Sequence, residues 1–492
     1  MKKGHSGDIL QVFLMFLITV LTQFVSIYKS AIIASNFGVG TELDAYNFSN
    51  NLTLFFLSFI FSGITTILIP AYLQEKSREA IDTFLTVVFS VTFLMLAITF
   101  IFRDGITMLL TDRDSVFRHY VSTLLLFTMM IQGFTAILGV TSAYFQCKNK
   151  FNIPKIIQLL SNIAAVALLV VKKDFTVYEY VTVLLAASML QFCADVFAAI
   201  RCGFRFKPAA ALKNSEFREL LQLFVPTLFS TGAFQIQSFI DSLLASNLPT
   251  GQLTLLTYSN TIANMINTLL IGNIVVYFFP KLVKNLKRNH EDGKKSLWKY
   301  TGFAHYAICL VGVGFVACGR EFIVIIYQNG KFDEKAVWAV YIGACIYAIG
   351  QQNNIIRDLI YRFFYTMHDT KTTLYNSVLV SMSNIILSVI LVRYLDVYGI
   401  ILGTVLAGLL SLCMIIWRFK RKFGLGEGFR DAFREYIRTD MISICVIVCI
   451  VIAKMYLHIQ NQIVSFLFYG GVSVGLYLMF SFILRSKILK RI

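Results

Sequence analysis

A handful of charged residues lies inside long apolar runs, where an ionised side chain is expensive unless it has a partner or a task. Lys29 follows Gln23 and Ser26 in the first run, about seven residues before that run ends near position 36. From that depth an ammonium reaches water poorly by snorkelling, so it reads as a functional residue rather than a helix-end one. Asp44 opens the second run, where a carboxylate favours the helix N-terminus. It reads either as a cap or as a substrate contact. Asp195 comes one turn after Gln191 near the cytoplasmic end of the sixth run, an interfacial place. Asp241 closes Gln235-Ile236-Gln237-Ser238-Phe239-Ile240-Asp241 with no basic residue in the same run. A bound cation, a proton or a lysine from another helix must offset it. The tenth run holds Gln351-Gln352-Asn353-Asn354-Ile355-Ile356-Arg357-Asp358 and then Arg362. That is too polar to face lipid. It reads as the lining of a wet cavity, with guanidinium groups suited to bidentate phosphate contact, or as a local Arg357–Asp358 cluster near the cytoplasmic end.

Other chemistry is not carried. Gly293-Lys294-Lys295 lacks the glycine pattern and the hydroxyl residue of a phosphate-binding loop. Asp112-Arg113-Asp114 resembles a nucleotide-sugar motif but falls on an outer loop. None of the six histidines, His305 included, has metal-ligand spacing. The nine cysteines form no C-x-x-C pair and sit mostly within apolar runs, as small hydrophobes. No enzyme is expected, no cofactor, and no metal beyond a monovalent cation.

The elements that must position these residues are transmembrane helices. The chain has 492 residues, 57% hydrophobic and 14% charged, against about 25% charged in a soluble domain. Apolar runs of roughly 20 residues alternate with short basic loops. Hydrocarbon offers no hydrogen-bond partners, so each run must close its own backbone bonds as a helix. Spans are expected near 9–36, 45–73, 81–102, 119–147, 153–171, 178–200, 217–246, 253–280, 297–318, 336–362, 374–392, 397–417, 440–457 and 463–484. The first is too long for a signal peptide and is expected to be retained.

The net charge of +17 is a topology signal rather than a nucleic-acid footprint. With a cytoplasmic N-terminus, nine of the 44 Lys and Arg lie outside: Arg103, Arg113, Arg118, Lys172, Lys173, Arg320, Lys331, Lys335 and Arg393. Lys29, Arg357, Arg362 and Lys454 lie within spans, and the remaining 31 are cytoplasmic. That bias fixes orientation, with both termini cytoplasmic, and favours anionic lipid.

The chain also repeats weakly. Ala34-Ser35-Asn36 returns as Ala245-Ser246-Asn247, Ser49-Asn50 as Ser259-Asn260, and Pro70 as Pro280, each 210 or 211 positions later. Six spans separate the copies, so they share one orientation, as in parallel transporter repeats. The expected fold is all-α and polytopic: about fourteen helices, in two six-helix lobes (1–210 and 211–422) plus two C-terminal helices (423–492). The stretches 281–299 and 418–439 have room for short interfacial helices.

The segment from Lys29 through Ala34-Ser35-Asn36-Phe37-Gly38-Val39-Gly40 to Asp44-Ala45-Tyr46 resembles the opening of the lipid II flippases, the MurJ/MviN family. Gly63 and Ile69-Pro70 continue the likeness, as do Ala143-Tyr144-Phe145-Gln146, Phe151-Asn152-Ile153-Pro154 and Phe364 to Thr372. The resemblance implies two lobes around a cavity that opens alternately to either side, with an undecaprenyl-pyrophosphate saccharide as cargo. It implies a lipid-tail groove formed by the last two helices, and a cationic cavity including Lys29 and Asp44. Three arginines of the family pattern are replaced, by Gln23, Leu57 and Thr261. Some members hold a sodium ion, and the matching positions are Asp241, Asn384, Ser388, the Ile400 carbonyl and Thr404, with Ser388 in place of an acid. The functions expected are a lipid-linked saccharide flippase of a bacterial plasma membrane, a cation-coupled exporter of small amphiphiles, or a scaffold without transport. Sodium or a proton is the expected coupling ion. Membrane lipids and cell-wall synthesis proteins are the expected partners.

Overall fold

The computed structural model describes residues 3–73, 76–148, 150–268, 272–367, 369–457 and 459–484. Among these residues every regular element is a helix: α1 Lys3–Phe37, α2 Thr41–Leu73, α3 Arg78–Leu110, α4 Ser115–Cys147, α5 Asn152–Lys172, α6 Val177–Arg201, α7 Ser215–Ser246, α8 Gln252–Ile266, α9 Gly272–Arg288, α10 His290–Tyr327, α11 Glu334–Thr366, α12 Thr370–Phe423, α13 Phe429–Tyr456 and α14 Gln462–Ile483. Nine helices among the described residues are long and apolar enough to cross a membrane. The apolar runs and the helices coincide because a lipid-facing backbone has no other way to satisfy its N–H and C=O groups.

Among the described residues the helices fall on the expected apolar runs. The span expected at 253–280 is divided between α8 and α9, with 269–271 outside the described residues. The spans expected at 374–392 and 397–417 are the two arms of α12, which meet at the non-helical Asp396. Asp396 has φ 48° and ψ −133°, a left-handed conformation that an L-residue adopts at a cost, here at the fold-back of the two arms. Interfacial helices are not separate pieces. Residues 281–288 extend α9 and residues 418–423 extend α12, while α10 and α13 begin at His290 and Phe429. His368, within the link from Phe364 to Thr372, lies outside the described residues. In that link burial works against the charge of Asp369, yet Lys422 Nζ at 2.5 Å and the Thr372 donors hold its carboxyl below the usual carboxylate range.

The contacts divide the chain into two compact units, Met1–Thr254 and Leu255–Ile492. In the first, α2 runs along α4 and α7, α1 lies on α5, and α6 packs on α4 and α5. Its interior includes Phe48, Phe84, Phe117 and Phe145, all nearly inaccessible. In the second, α10 is the hub, packed against α9, α11, α13 and α14. One aromatic cluster there joins Trp298, Phe363, Phe364 and Phe419. The sequence repeat has a structural echo. Ser49 donates from α2 to the carbonyl of Val121 in α4 at 3.2 Å. Ser259, its counterpart 210 positions on, donates from α8 to the carbonyl of Val340 in α11 at 3.3 Å.

Asp44 organises one end of the first unit. Its side chain is fully buried. Oδ2 accepts from Arg113 Nη1 at 3.0 Å and from the Gly251 N–H at 2.7 Å. Oδ1 accepts from the Thr254 N–H at 2.9 Å and the Thr254 hydroxyl at 2.7 Å. Arg113 also bonds Thr250 and lies over the Phe117 ring at 4.1 Å. A carboxylate offers about four lone-pair sites, and four protein donors fill them. Asp44 is therefore a clasp joining the start of α2, the α3–α4 link and the turn after α7. Gly251, at φ +94°, is required there, since a Cβ would stand 2.4 Å from Val39 Cγ1.

Two substitutions test these joints. Asp44→Ala strands the buried Arg113 guanidinium and should cost about 3–5 kcal/mol, read as a lower melting midpoint in detergent. Gly399 stands where the arms of α12 fold back, and a Cβ would lie 2.3 Å from the Leu391 carbonyl oxygen. Gly399→Ala should cost about 1–3 kcal/mol, and an unchanged midpoint would remove the close approach from the account.

Candidate functional site

In the first unit the cation expected in the cavity is on α1. Lys29, half-buried on α1, donates to Asn162 Oδ1 of α5 at 3.2 Å. The amide is neutral, so the bond orients the ammonium without cancelling its charge. Lys155 answers from α5, donating to Thr19 of α1 at 3.0 Å. Two cations thus lie along one helix pair. Lys155 also lines a cavity of about 620 Å³ with Ser142, Gln146, Gln158, Gln191 and Asp195. Asp195, placed by sequence at the interface, is only 1% exposed, and its Oδ1 has no hydrogen-bond partner among the described residues. Lys155, Gln158 and this cavity are absent from the sequence reading. Each is an isolated polar residue in an apolar run, and only the packing of α4, α5 and α6 collects them.

The remaining residues of the expected cationic site behave differently. Asp44 is spent on the clasp, so the geometry gives it a structural task in place of a substrate contact. Gln23 is half-buried on α1. Leu57 is 2% exposed and belongs to the apolar interior. Thr261 in the second unit returns its hydroxyl to Thr257 O of its own helix at 2.8 Å. These positions supply no positive charge.

The second unit carries the polar stripe of α11. Arg357 Nη2 stands 3.6 Å from Asp358 Oδ1, a loose pair, with its side chain 21% exposed. Its buried Nε has no acceptor among the described residues, and the guanidinium lies 5.8 Å from the Tyr361 ring centre. Five donors and one weak partner leave most of the fork open to an anion. Arg362, a turn and a half on, is exposed and sits 5.5 Å from the Phe279 ring.

The residues expected to hold sodium fall in both units. Asp241 is a buried residue of α7 in the first. Asn384, Ser388 and Thr404 gather between the arms of α12 in the second. Asn384 Nδ2 donates to Thr404 Oγ1 at 2.8 Å, Thr404 donates to the Ile400 carbonyl at 3.2 Å, and Ser388 donates to Asn384 Oδ1 at 3.5 Å. The four groups satisfy one another and carry no formal charge. Taken alone they do not fit a sodium cage, which needs oxygens free of other donors and ordinarily an anion.

Two further features of the second unit have no precedent in the sequence reading. An almost wholly apolar cavity of about 500 Å³ lies between α8, α10 and α14, lined by Met265, Phe315, Phe322, Phe466 and Leu467 and kept open by Gly314, Gly470 and Gly471. The cavity is bounded by α14 and not by α13, whereas the resemblance implies a groove formed by both. The second feature is the cluster of His305, Cys309 and Asp440. His305 and Cys309 are one helical turn apart on α10, and the third member arrives 131 positions later on α13, a grouping of ligand atoms within 4.8 Å that was not expected from histidine spacing. Ligand spacing along the chain cannot reveal a site assembled between two helices.

The comparisons agree with the geometry. A model of the family "Lipid II flippase MurJ" matches residues 33–484. The "Probable lipid II flippase MurJ" of Haemophilus influenzae is 22% identical over 394 residues, covering 74% of this chain and 77% of that protein. The corresponding protein of Synechocystis sp. is 23% identical over 430 residues, covering 82% and 80%. Among solved structures, a lipid II flippase MurJ in an inward closed conformation superposes with a TM-score of 0.80 at 20% identity, covering 96% of this chain and 98% of that one. An inward-facing multidrug resistance MATE family transporter of the MOP superfamily gives 0.63 at 12% identity, covering 85% and 96%. With all but the two ends of its length under one family model and the fold in agreement, this chain belongs to the lipid II flippase MurJ family.

Proposed function

We propose that this chain carries an undecaprenyl-pyrophosphate-linked saccharide, lipid II or a related wall or surface-glycan precursor, from the inner to the outer leaflet of a bacterial plasma membrane by alternating access. The observation that carries the reading is Lys29, a half-buried ammonium in a spanning helix whose hydrogen bond goes to a neutral amide. Such a group is expensive at membrane depth without an anion to receive, and a pyrophosphate is that anion. Arg357, with most of its fork unspent, is the second such group. The apolar cavity beside α14 suits a polyprenyl tail. Dragging a charged headgroup through hydrocarbon costs tens of kcal/mol by Born estimates. A polar route for the headgroup, with the tail left in an apolar groove, removes most of that barrier.

Sodium or a proton belongs to this proposal as the coupling ion, and the buried Asp241 is its one anionic candidate among the residues expected to hold it. An inside-negative potential is worth roughly 2.3 kcal/mol per charge per 100 mV, enough to draw a cation inward and reset an emptied carrier. On this reading the termini are cytoplasmic, as the basic loops require, and the partners are the lipid-linked substrate, the surrounding lipids and the wall-synthesis proteins that make and use it. Export of small amphiphiles is the second reading, favoured by the neutral residues at Gln23, Leu57 and Thr261. A depletion strain separates the two, since wall defects follow from the first and drug sensitivity alone from the second.

Lys29→Ala should slow the appearance of labelled lipid-linked precursor at the outer face by about tenfold, or about 1.4 kcal/mol in the barrier, with Lys29→Arg retaining most of the rate. A full rate in Lys29→Ala removes the residue from the mechanism. Gly471→Leu projects into open space at the apolar cavity, where a Cβ meets nothing within 4 Å. It should cut flipping several-fold while the melting midpoint holds, and an unchanged flipping rate would take the tail out of that cavity.

A further inference from the structure

We infer that His305, Cys309 and Asp440 bind a divalent transition-metal ion of the zinc class between α10 and α13. His305 Nε2 stands 3.1 Å from Asp440 Oδ1, Cys309 Sγ stands 3.6 Å from His305 Nε2, and Cys309 Sγ stands 3.9 Å from Asp440 Oδ1. Zinc binds thiolate sulfur at about 2.3 Å and imidazole nitrogen or carboxylate oxygen at about 2.0–2.2 Å. A tetrahedron with those bond lengths has edges of about 3.4–3.6 Å between ligand atoms. The three atoms therefore already outline one face of a zinc tetrahedron, and shifts of a few tenths of an ångström complete it.

A further oxygen stands beside the thiol. Gln352 Oε1 of α11 lies 3.1 Å from Cys309 Sγ. The cluster borders a cavity of about 350 Å³ that Gln352, Asp440 and Ser443 also line, with room for a water in place of the amide. His305 and Cys309 are 3% and 5% exposed, while the Asp440 side chain is 44% exposed and offers the way in. A hydrogen-bonded trio without an ion accounts for this arrangement less completely. It places a thiol, an imidazole and a carboxylate within 4.8 Å of one another where one bond would have sufficed. With the ion bound, the thiol proton leaves to solvent, and thiolate and carboxylate together match the 2+ charge at a depth where an unbalanced charge is penalised. Sulfur and nitrogen donors select zinc, cobalt or copper over sodium, magnesium or calcium. The ion would tie α13 to the hub helix α10, and through Gln352 to α11.

The full-length chain, purified in detergent and stripped with a chelator, is titrated with Zn²⁺ and with Co²⁺. The expected result is one equivalent bound at micromolar Kd or tighter. The Co²⁺ form should carry a thiolate-to-metal charge-transfer band and tetrahedral ligand-field absorption, and Zn²⁺ should raise the melting midpoint. Cys309→Ser should abolish the charge-transfer band, and Asp440→Asn should weaken Zn²⁺ binding roughly ten- to hundredfold, by analogy with the loss of a supporting ligand. Both variants must melt cooperatively, which separates loss of the site from loss of the fold. No binding by a folded wild-type chain, or equal binding by wild type and Cys309→Ser, makes the trio a hydrogen-bonded cluster only and overturns the site. No lipid substrate enters the measurement, so its outcome is independent of the flippase reading.

Discussion

Hydrocarbon supplies no hydrogen bonds, and every other feature of this molecule answers to that constraint. The backbone answers it by folding into helices wherever the sequence is apolar for long enough. Side chains answer it by finding partners inside the protein. Thr53 and Thr128 meet across α2 and α4 at 2.9 Å, and Asn376 binds the Ser411 hydroxyl across the arms of α12 at 2.8 Å. Lys454 of α13 pairs with Glu321 of α10 at 2.8 Å, and Ser465 of α14 joins the same carboxylate at 3.3 Å. Interhelical bonds of this kind average about 0.6 kcal/mol each in membrane proteins. Their service is to fix which helix faces which, more than to add stability.

The same constraint sorts structural from functional charge. Asp44 and Arg113 look alike, on paper, to Lys29 and Arg357: ionisable groups within or beside an apolar run. Asp44 has four donors on its two oxygens, and Arg113 has a carboxylate, a hydroxyl and an aromatic face. Their charge is consumed by the fold. Lys29 has a neutral amide, and Arg357 has an acid no closer than 3.6 Å at the contact they share. Their charge remains available to an anion. The distinction rests on what each group touches and would be invisible in a comparison of residue types.

A flippase must treat the two ends of its cargo differently, and the second unit contains one strongly apolar and one strongly polar surface. Its apolar cavity against α14 is lined by methyl groups, rings and glycines. Its polar stripe on α11 presents amides and guanidinium groups. One chain thus offers an environment for a polyprenyl tail and another for a headgroup, which is the arrangement a lipid-linked saccharide demands.

The sequence by itself determined the class and the helices. Long apolar runs admit one backbone solution in lipid. It also carried the repeat, since Ser49 and Ser259 make the same kind of contact 210 positions apart, and it carried the family likeness. Tertiary structure decided which polar residues have partners. Asp44 was legible as a helix-start carboxylate, but its four donors come from Arg113 in the α3–α4 link and from Gly251 and Thr254 around the start of α8, beyond the reach of any local pattern. The non-helical backbone of Asp396, where the two arms of α12 meet, is local geometry that hydropathy does not encode. The cavity around Asp195 and the trio of His305, Cys309 and Asp440 exist only where helices distant in sequence pack together. Hydrophobic periodicity specifies which segments enter the membrane. Which faces meet there is set by side-chain packing between segments, and that information is not local.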